Sequence, residues 1–413
     1  MSIGRRASLC VVASLTLFLA AATAQELTEQ EAVKRFLGQS PQSRELRAAV
    51  AAVQAETRGW SLWPNPRSNV TREGAGVTNF VQLEQSLPIS GRLGFMRQAG
   101  AAAVNSSDAK SLFAVWELCS DMRLAFYALV LSQERERAIK KSFEDLDDVL
   151  RILGEREKEG EGSTFDRLRT ERERFELQTE FVAAQVSTLK ARSRLASFFA
   201  SDIEPAALRV QGQLQSSAIL PPLSEVLARA LDTRPDLKSE QQYSEQLRFE
   251  QRAAERLRIP EPSFYTGLKR AENRGSMELG PVFGVSVPIP IFNRGKTEVA
   301  RLKAELDRSQ ARREALQQQL QAEVEAAYGT VELRRGIEGE YRQQLASTGS
   351  RLKSVAQLAY QEGEQGILEL LDAYRVTRQS ELREVELSGA AKAAEIELER
   401  AAGEPILNRE VFP

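Results

Sequence analysis

Two stretches of this chain, 92–158 and 296–361, contain no proline and few glycines, and they are dense in Glu, Gln, Arg and Lys. As α-helices rising 1.5 Å per residue, each extends roughly 100 Å. No single globular core accommodates such a rod, so the 413 residues do not divide into the two or three compact domains that length alone suggests. The apolar residues inside the runs keep a coiled-coil rhythm. Tyr341, Leu345, Thr348, Leu352, Val355 and Ala359 step by four and three. Val299, Leu302 and Leu306, then Leu316, Leu320, Val324, Ala327 and Val331, do nearly the same. The remaining surface is charged, as on solvated helix faces.

The plan occurs twice. LWPNP (62–66) answers RIPEP (258–262), with Pro66 and Pro262 separated by 196. SLPI (86–89) answers SVPI (286–289) at 200, and Gly91-Arg92 answers Gly295-Lys296 at 204. GEGSTFDRLR (160–169) answers GEQGILELLDA (363–373), with Gly162 and Gly366 at 204. Landmarks in one order at a near-constant separation mark an internal duplication whose period far exceeds the roughly 20–50 residues of solenoid repeats. Each unit opens with a helix, Leu27 to Gly59 or Leu223 to Ile259, that Pro41 or Pro235 breaks or kinks. A strand pair, long helices and a Gly-rich reversal follow. The sequence divides into a leader (1–24), a first repeat (25–202), a linker (203–220), a second repeat (221–403) and a tail (404–413).

The strand pairs, at about 66–88 and 262–291, alternate. From Leu279 to Ile291 the odd positions include Leu279, Phe283, Val285 and Val287, and the even ones Gly280, Gly284 and Ser286. Val81, Leu83 and Leu87 oppose Gln82, Glu84 and Ser86 in the same manner. Apolar-out, polar-in alternation over about ten residues is how an outer-membrane barrel strand reads. Asn65 to Glu73 departs from it, with Val70 as its only aliphatic residue. Four strands per chain cannot close a barrel, and lipid does not tolerate an open edge. Three copies would supply twelve strands.

The N-terminus reads as a secretory leader. Arg5 and Arg6 precede an apolar core from Leu9 to Ala22, and Ala22-Thr23-Ala24 offers a small-x-small cleavage site. Cys10 leaves with it, and Cys119 then stands alone, which excludes a disulfide framework. With no histidine in the chain, Ser-His-Asp and Cys-His arrangements and His-rich zinc sites are excluded. A net charge of −2 gives no reason to expect nucleic acid.

In WPNP (63–66), QSLPISGR (85–92), VSVPIPIFNRGK (285–296), GEGSTFDRLRTERE (160–173) and GEQGILELLDAYR (363–375), the chain resembles the TolC-type outer-membrane efflux channels, and most of all their CzcC-like heavy-metal branch. The resemblance covers nearly all of the chain after the leader. It implies a mainly α fold with a small β part. Long antiparallel coiled-coil helices would form an α-barrel, and four β-strands per protomer would enter a trimeric twelve-stranded transmembrane barrel. It implies a homotrimer in the outer membrane of a Gram-negative bacterium, with a large periplasmic part, contacts to lipid and to a periplasmic adaptor, and an inner-membrane RND pump beyond. It implies no cofactor, no resident metal and no catalysis.

The resemblance also assigns residues. Pro88, Gly91, Pro288, Pro290 and Gly295 lie where strands swing into tunnel helices. Glu369 and Asp372, with Asp166 in the first repeat, match the acids of a periplasmic gate, where rings of three carboxylates would favour cations. Gly160, Gly162, Gly363 and Gly366 form the tips that meet the adaptor. Alternatives remain at this stage: a channel of the same build for drugs or other small molecules, and a soluble periplasmic coiled-coil adaptor or scaffold. Glu369 and Asp372 could in principle do acid–base work, but nothing in the sequence suggests a pocket around them.

Overall fold

A computed structural model of the chain describes residues 26–74, 78–160, 162–200, 204–215, 218–273, 275–344, 346–407 and 409–412. The leader read over 1–24, with Arg5, Arg6, Cys10 and Ala22 to Ala24, lies outside them, as does Leu345 of the heptad rhythm.

Each proline in the opening helices divides one element into two. α1 (Glu29–Gln39) ends before Ser40, and α2 (Pro41–Gly59) restarts with Pro41 in its first turn. There the missing N–H costs nothing and the fixed φ suits the helix. α5 (Leu223–Thr233) and α6 (Pro235–Glu255) repeat the pattern around Arg234. Next in each repeat come strands β2 (Arg67–Glu73) and β3 (Thr78–Ser86), or β5 (Ser263–Asn273) and β6 (Ser276–Ser286). The long helix α3 runs from Arg92 to Lys158, and α4 (Thr164–Ala196) returns from it. The counterpart run is α7 (Lys296–Gln344) with α8 (Ala346–Gln361), and α9 (Ile367–Ala402) returns. Near the sheet α3 packs on α2 and α6, and α6 on α7. Farther away α3 packs on α4 and α9, and α9 on α7 and α8.

The heptad seam predicted on α7 is the one that is buried. Leu302, Leu320, Val324 and Val331 are fully enclosed, with Val299, Leu306, Leu316 and Ala327 packed beside them. Burial of this kind is worth about 1.5–3 kcal/mol for each large aliphatic side chain. On α8 the rhythm does not mark the face that packs within the chain. Leu352 and Val355 are exposed, and the helix instead buries Ala356 and packs Tyr360 against Leu153, Leu370 and Tyr374. A single period cannot say which of two apolar stripes meets a helix of the same chain.

The strands form one antiparallel sheet in the order β2-β3-β5-β6. Its register aligns Val70 with Val81, Val81 with Leu268, and Phe264 with Val285. These residues share one face with Leu83, Leu279 and Phe283, and that face is exposed. The other face carries Arg67, Asn69, Gln82, Glu84, Tyr265 and Lys269. The polar stretch that departs from barrel alternation is nevertheless a strand, β2, exposed along its whole length as the edge of the sheet. The apolar alternation read to Ile291 stops pairing at Ser286, since Pro288 and Pro290 have no N–H to donate. Among the described residues no helix is long and apolar enough to cross a membrane.

Midway along the rods the chain ends gather. A two-residue strand β1 (Leu27–Thr28) pairs in parallel with β4 (Val210–Gln211), and Phe36, Phe126, Leu129 and Ile396 fill the core beside them. Arg123, fully buried on α3, donates to Glu29 Oε1 at 2.7 Å and Glu399 Oε2 at 2.6 Å. The other oxygen of Glu399 accepts from the backbone N–H groups of Ile406 and Leu407 at 3.0 and 2.8 Å. Burial opposes the Arg123 charge, but Glu399 and Glu29 outweigh it and hold the guanidinium above its ordinary pKa. A neighbouring hydroxyl, Tyr127 Oη, donates to Glu29 at 2.5 Å. The sequence reading did not find this network; its signal was one arginine inside the apolar run from Leu118 to Leu131.

Candidate periplasmic gate and barrel junction

At the end of the rods far from the sheet, two reversals stand in the same relation to their helices. Gly160 (φ 79°) follows α3, and Gly363 (φ 74°) follows α8. Both occupy the left-handed region that a side chain rarely adopts. Ser163 caps α4, accepting from Asp166 N, and Gly366 occupies the same position before α9. The structural separation of the tips is therefore 203, which corrects the 204 read from Gly162 and Gly366. Chain reversal and cap position fix the register, whereas glycine identity misleads by one. Gly162 has a separate reason to be glycine: a Cβ there would lie 2.4 Å from the backbone N of Glu157. At Gly366 the nearest atom to such a Cβ is Glu369 Oε2, 3.1 Å away.

In the corrected register Asp166 is the counterpart of Glu369, each in the third position of its helix, and Arg169 is the counterpart of Asp372. Acids in a first helical turn lie in the favourable field of the backbone dipole. The carboxylate of Glu369 turns back toward Gly366 over its own helix N-terminus. Asp372 is exposed one turn on, and both acids share the face of α9 opposite Leu370, Leu371 and Tyr374, which are buried.

Arg375 reaches from this face to α4. Its Nη2 contacts Glu173 Oε2 at 3.2 Å, and its Nη1 lies 4.0 Å from Asp372 Oδ1. The hydrogen bond to Glu173, then the charge of Glu173, raises the Arg375 pKa against partial burial. Arg378 faces Glu180 at 3.6 Å, and Lys353 of α8 pairs with Asp145 of α3. The α8–α9 pair is thus tied to the α3–α4 pair by ion pairs over a shared apolar core of Leu146, Leu153, Leu177 and Leu371. The sequence reading named the acids and missed Arg375 and Glu173, because an ion pair between residues about 200 apart leaves no local pattern.

At the sheet end the two junctions repeat closely. Ile89 N bonds Leu87 O at 2.8 Å, and Ile291 N bonds Ile289 O at 2.9 Å. Each three-residue turn centres on a proline, Pro88 or Pro290, whose fixed φ suits a tight turn of this size. Pro288 precedes the second turn in the exposed run after β6. Gly91 (φ 76°) and Gly295 (φ 77°) then start the long helices. A Cβ on Gly295 would fall 2.4 Å from Ala254 O, whereas Gly91 faces open space. Among the described residues no group of three His, Cys, Asp or Glu side chains is placed to hold a metal ion.

The chain thus carries an open four-stranded sheet with one exposed apolar face on helical rods about 100 Å long. Residues 226–404 match the family model described as outer membrane efflux protein. A membrane protein from Pseudomonas aeruginosa has the same fold at TM-score 0.72 and 19% identity, over 91% of this chain and 93% of that one. The outer membrane protein VceC from Vibrio cholerae matches at 0.71 and 14%, over 92% and 96%. The open state of the Neisseria gonorrhoeae outer membrane channel MtrE matches at 0.70 and 17%, over 92% and 90%. No curated protein matches the sequence. The family match covers most of the second repeat, and these solved membrane proteins share the fold of the chain over nine-tenths of its length.

Proposed function

We propose that three copies of this chain form the exit duct of a tripartite efflux system, passing heavy-metal cations from an RND-type pump and its periplasmic adaptor across the outer membrane. The observation that carries the reading is the sheet: β2 and β6 leave both edges unpaired, and the face bearing Val81, Leu83, Leu279 and Phe283 is exposed. An open edge is not stable in lipid. Antiparallel pairing of β6 with β2 of the next copy closes twelve strands and removes every edge. The exposed stripes Phe165, Phe175 and Val182 on α4, and Leu352, Val355 and Leu358 on α8, supply apolar contact between copies below the barrel.

In this reading Glu369 and Asp372, with Asp166 in the first turn of α4, form carboxylate rings at the periplasmic aperture. Gly160, Gly162, Gly363 and Gly366 shape the tips that meet the adaptor, and Pro88, Gly91, Pro288, Pro290 and Gly295 turn strand into tunnel. The metal cargo rests on the likeness of the sequence motifs to the heavy-metal branch and on these acids. The duct performs no chemistry on its cargo.

Two measurements test the proposal. Light scattering of detergent-extracted protein should give a trimer; a monomer under non-denaturing conditions would sink the barrel. A deletion strain should become sensitive to cobalt, zinc, cadmium or copper. Sensitivity to dyes alone would transfer the duct to a drug pump.

A further inference from the structure

All four strands end at one level: Arg67 begins β2 opposite Glu84, and Ser86, Ser263 and Ser286 align across the other three. Immediately beyond that level the chain exposes large apolar side chains on segments that no helix covers. Phe292 is 99% exposed and Trp63 62%, with Leu62, Ile89, Ile289 and Ile291 similarly bare. The segments are held together, since Leu87 N bonds Pro262 O at 2.8 Å and Gln85 Nε2 bonds Pro64 O at 2.9 Å. Large apolar side chains exposed at one level beyond all the strands mark an interaction surface rather than ordinary surface scatter.

The charges behind the belt are unbalanced. The windows 56–67, 87–97, 252–262 and 287–301 hold ten Arg and Lys against four Glu, in a chain whose net charge is −2. Two of the four acids are engaged locally: Glu298 by Arg301, and Glu261 by Ser90 Oγ. Arg294 and Lys296 are exposed and make no ion pair among the described residues, Arg294 spending its Nε on Pro290 O. Arg256 and Arg92 stand at the neighbouring helix ends, Arg256 over the Phe95 ring.

We propose that this junction is a lipid-contact collar. Trp63, Phe292, Ile289 and Ile89 lie among the acyl chains, and Arg294, Lys296, Arg92 and Arg256 bind anionic phospholipid headgroups of the periplasm-facing leaflet. Aromatic rings favour the membrane interface, and long basic side chains keep their heads at the phosphate level while their stems cover apolar surface. Charge sign selects the lipid, since acidic headgroups are favoured by about 1 kcal/mol, roughly fivefold, for each basic residue near the surface. The proposal rests on the outer-membrane reading above.

The test reconstitutes the full-length trimer in phosphatidylethanolamine vesicles carrying a small fraction of either brominated phosphatidylglycerol or brominated phosphatidylethanolamine. Quenching present in the unsubstituted protein and absent in Trp63→Phe reports contact at residue 63. The expected result is quenching by both lipids, several-fold stronger for brominated phosphatidylglycerol, with the ratio falling toward one in Arg294→Gln/Lys296→Gln. Equal quenching by both lipids in the unsubstituted protein overturns headgroup selection. Insertion without quenching at residue 63 overturns the collar. Dissociation of the trimer by Ile289→Ser/Phe292→Ser, with quenching of Trp63 retained, assigns the belt to a second copy instead. Failure to float with vesicles after an alkaline wash would count against the outer-membrane reading itself.

Discussion

Glu399→Ala tests how much the buried network contributes to the whole assembly. Arg123 has no solvent exposure, so its guanidinium depends on Glu29 and Glu399 for compensation. Removing one partner of such a pair costs about 3–5 kcal/mol, because the other charge stays buried. The same carboxylate closes the tail by accepting from Ile406 and Leu407, whose N–H groups would have to find water. At about 2.1 cal/mol/K per residue, a chain of this length loses on the order of 1 °C per kcal/mol. A drop of roughly 4 °C is therefore expected in the temperature at which the extracted protein loses its unheated gel mobility. Glu399→Gln keeps the backbone acceptor and removes only the charge, so it should fall less far. Glu29→Ala should lower the midpoint comparably, and the double substitution should cost less than the two singles together, since both act through Arg123. A midpoint for Glu399→Ala within about a degree of the unsubstituted protein would refute the reasoning, because it would mean that water or a rotated Arg123 relieves the orphaned charge.

The other expectations are shorter. Glu369→Ala/Asp372→Ala should weaken cation selectivity and cation block in a planar bilayer; unchanged values would put the constriction elsewhere. Arg375→Ala releases α9 from Glu173 and should raise single-channel conductance, with Glu173→Ala producing the same rise. Gly295→Ala should cut trimer yield more than Gly91→Ala. Both strain a left-handed backbone by about 1–2 kcal/mol, but only Gly295 also drives a Cβ toward Ala254 O; equal yields would contradict this. Burial pushes the Cys119 thiol up to about 12 from 9.0, with Arg123 opposing and Glu29 reinforcing the shift. The thiol therefore stays protonated in the folded protein while the unfolded chain ionises above pH 9, so this group withdraws stability as pH rises through that window. Alkylation at pH 9 should remain slow until the protein unfolds.

The sequence by itself determined the elements that depend on local periodicity. The long helices announce themselves by lacking proline and by a four–three apolar rhythm, and Pro41 and Pro235 cut the opening helices because proline belongs in a first turn. Two-residue alternation sorted Val81 and Leu83 from Gln82 and Glu84 onto opposite faces. Tertiary structure decided whatever depends on partners distant in the chain. Only packing showed that α8 buries Ala356 rather than Leu352 and Val355, since both stripes satisfy the same period. Only the caps set the tip register at 203 and aligned Asp166 with Glu369. Only the fold brought Glu29, Arg123 and Glu399 into one ion cluster, and Arg375 against Glu173. Backbone preferences act over a few residues and can be read in a line, whereas a buried charge is tolerable only where folding delivers its counter-charge.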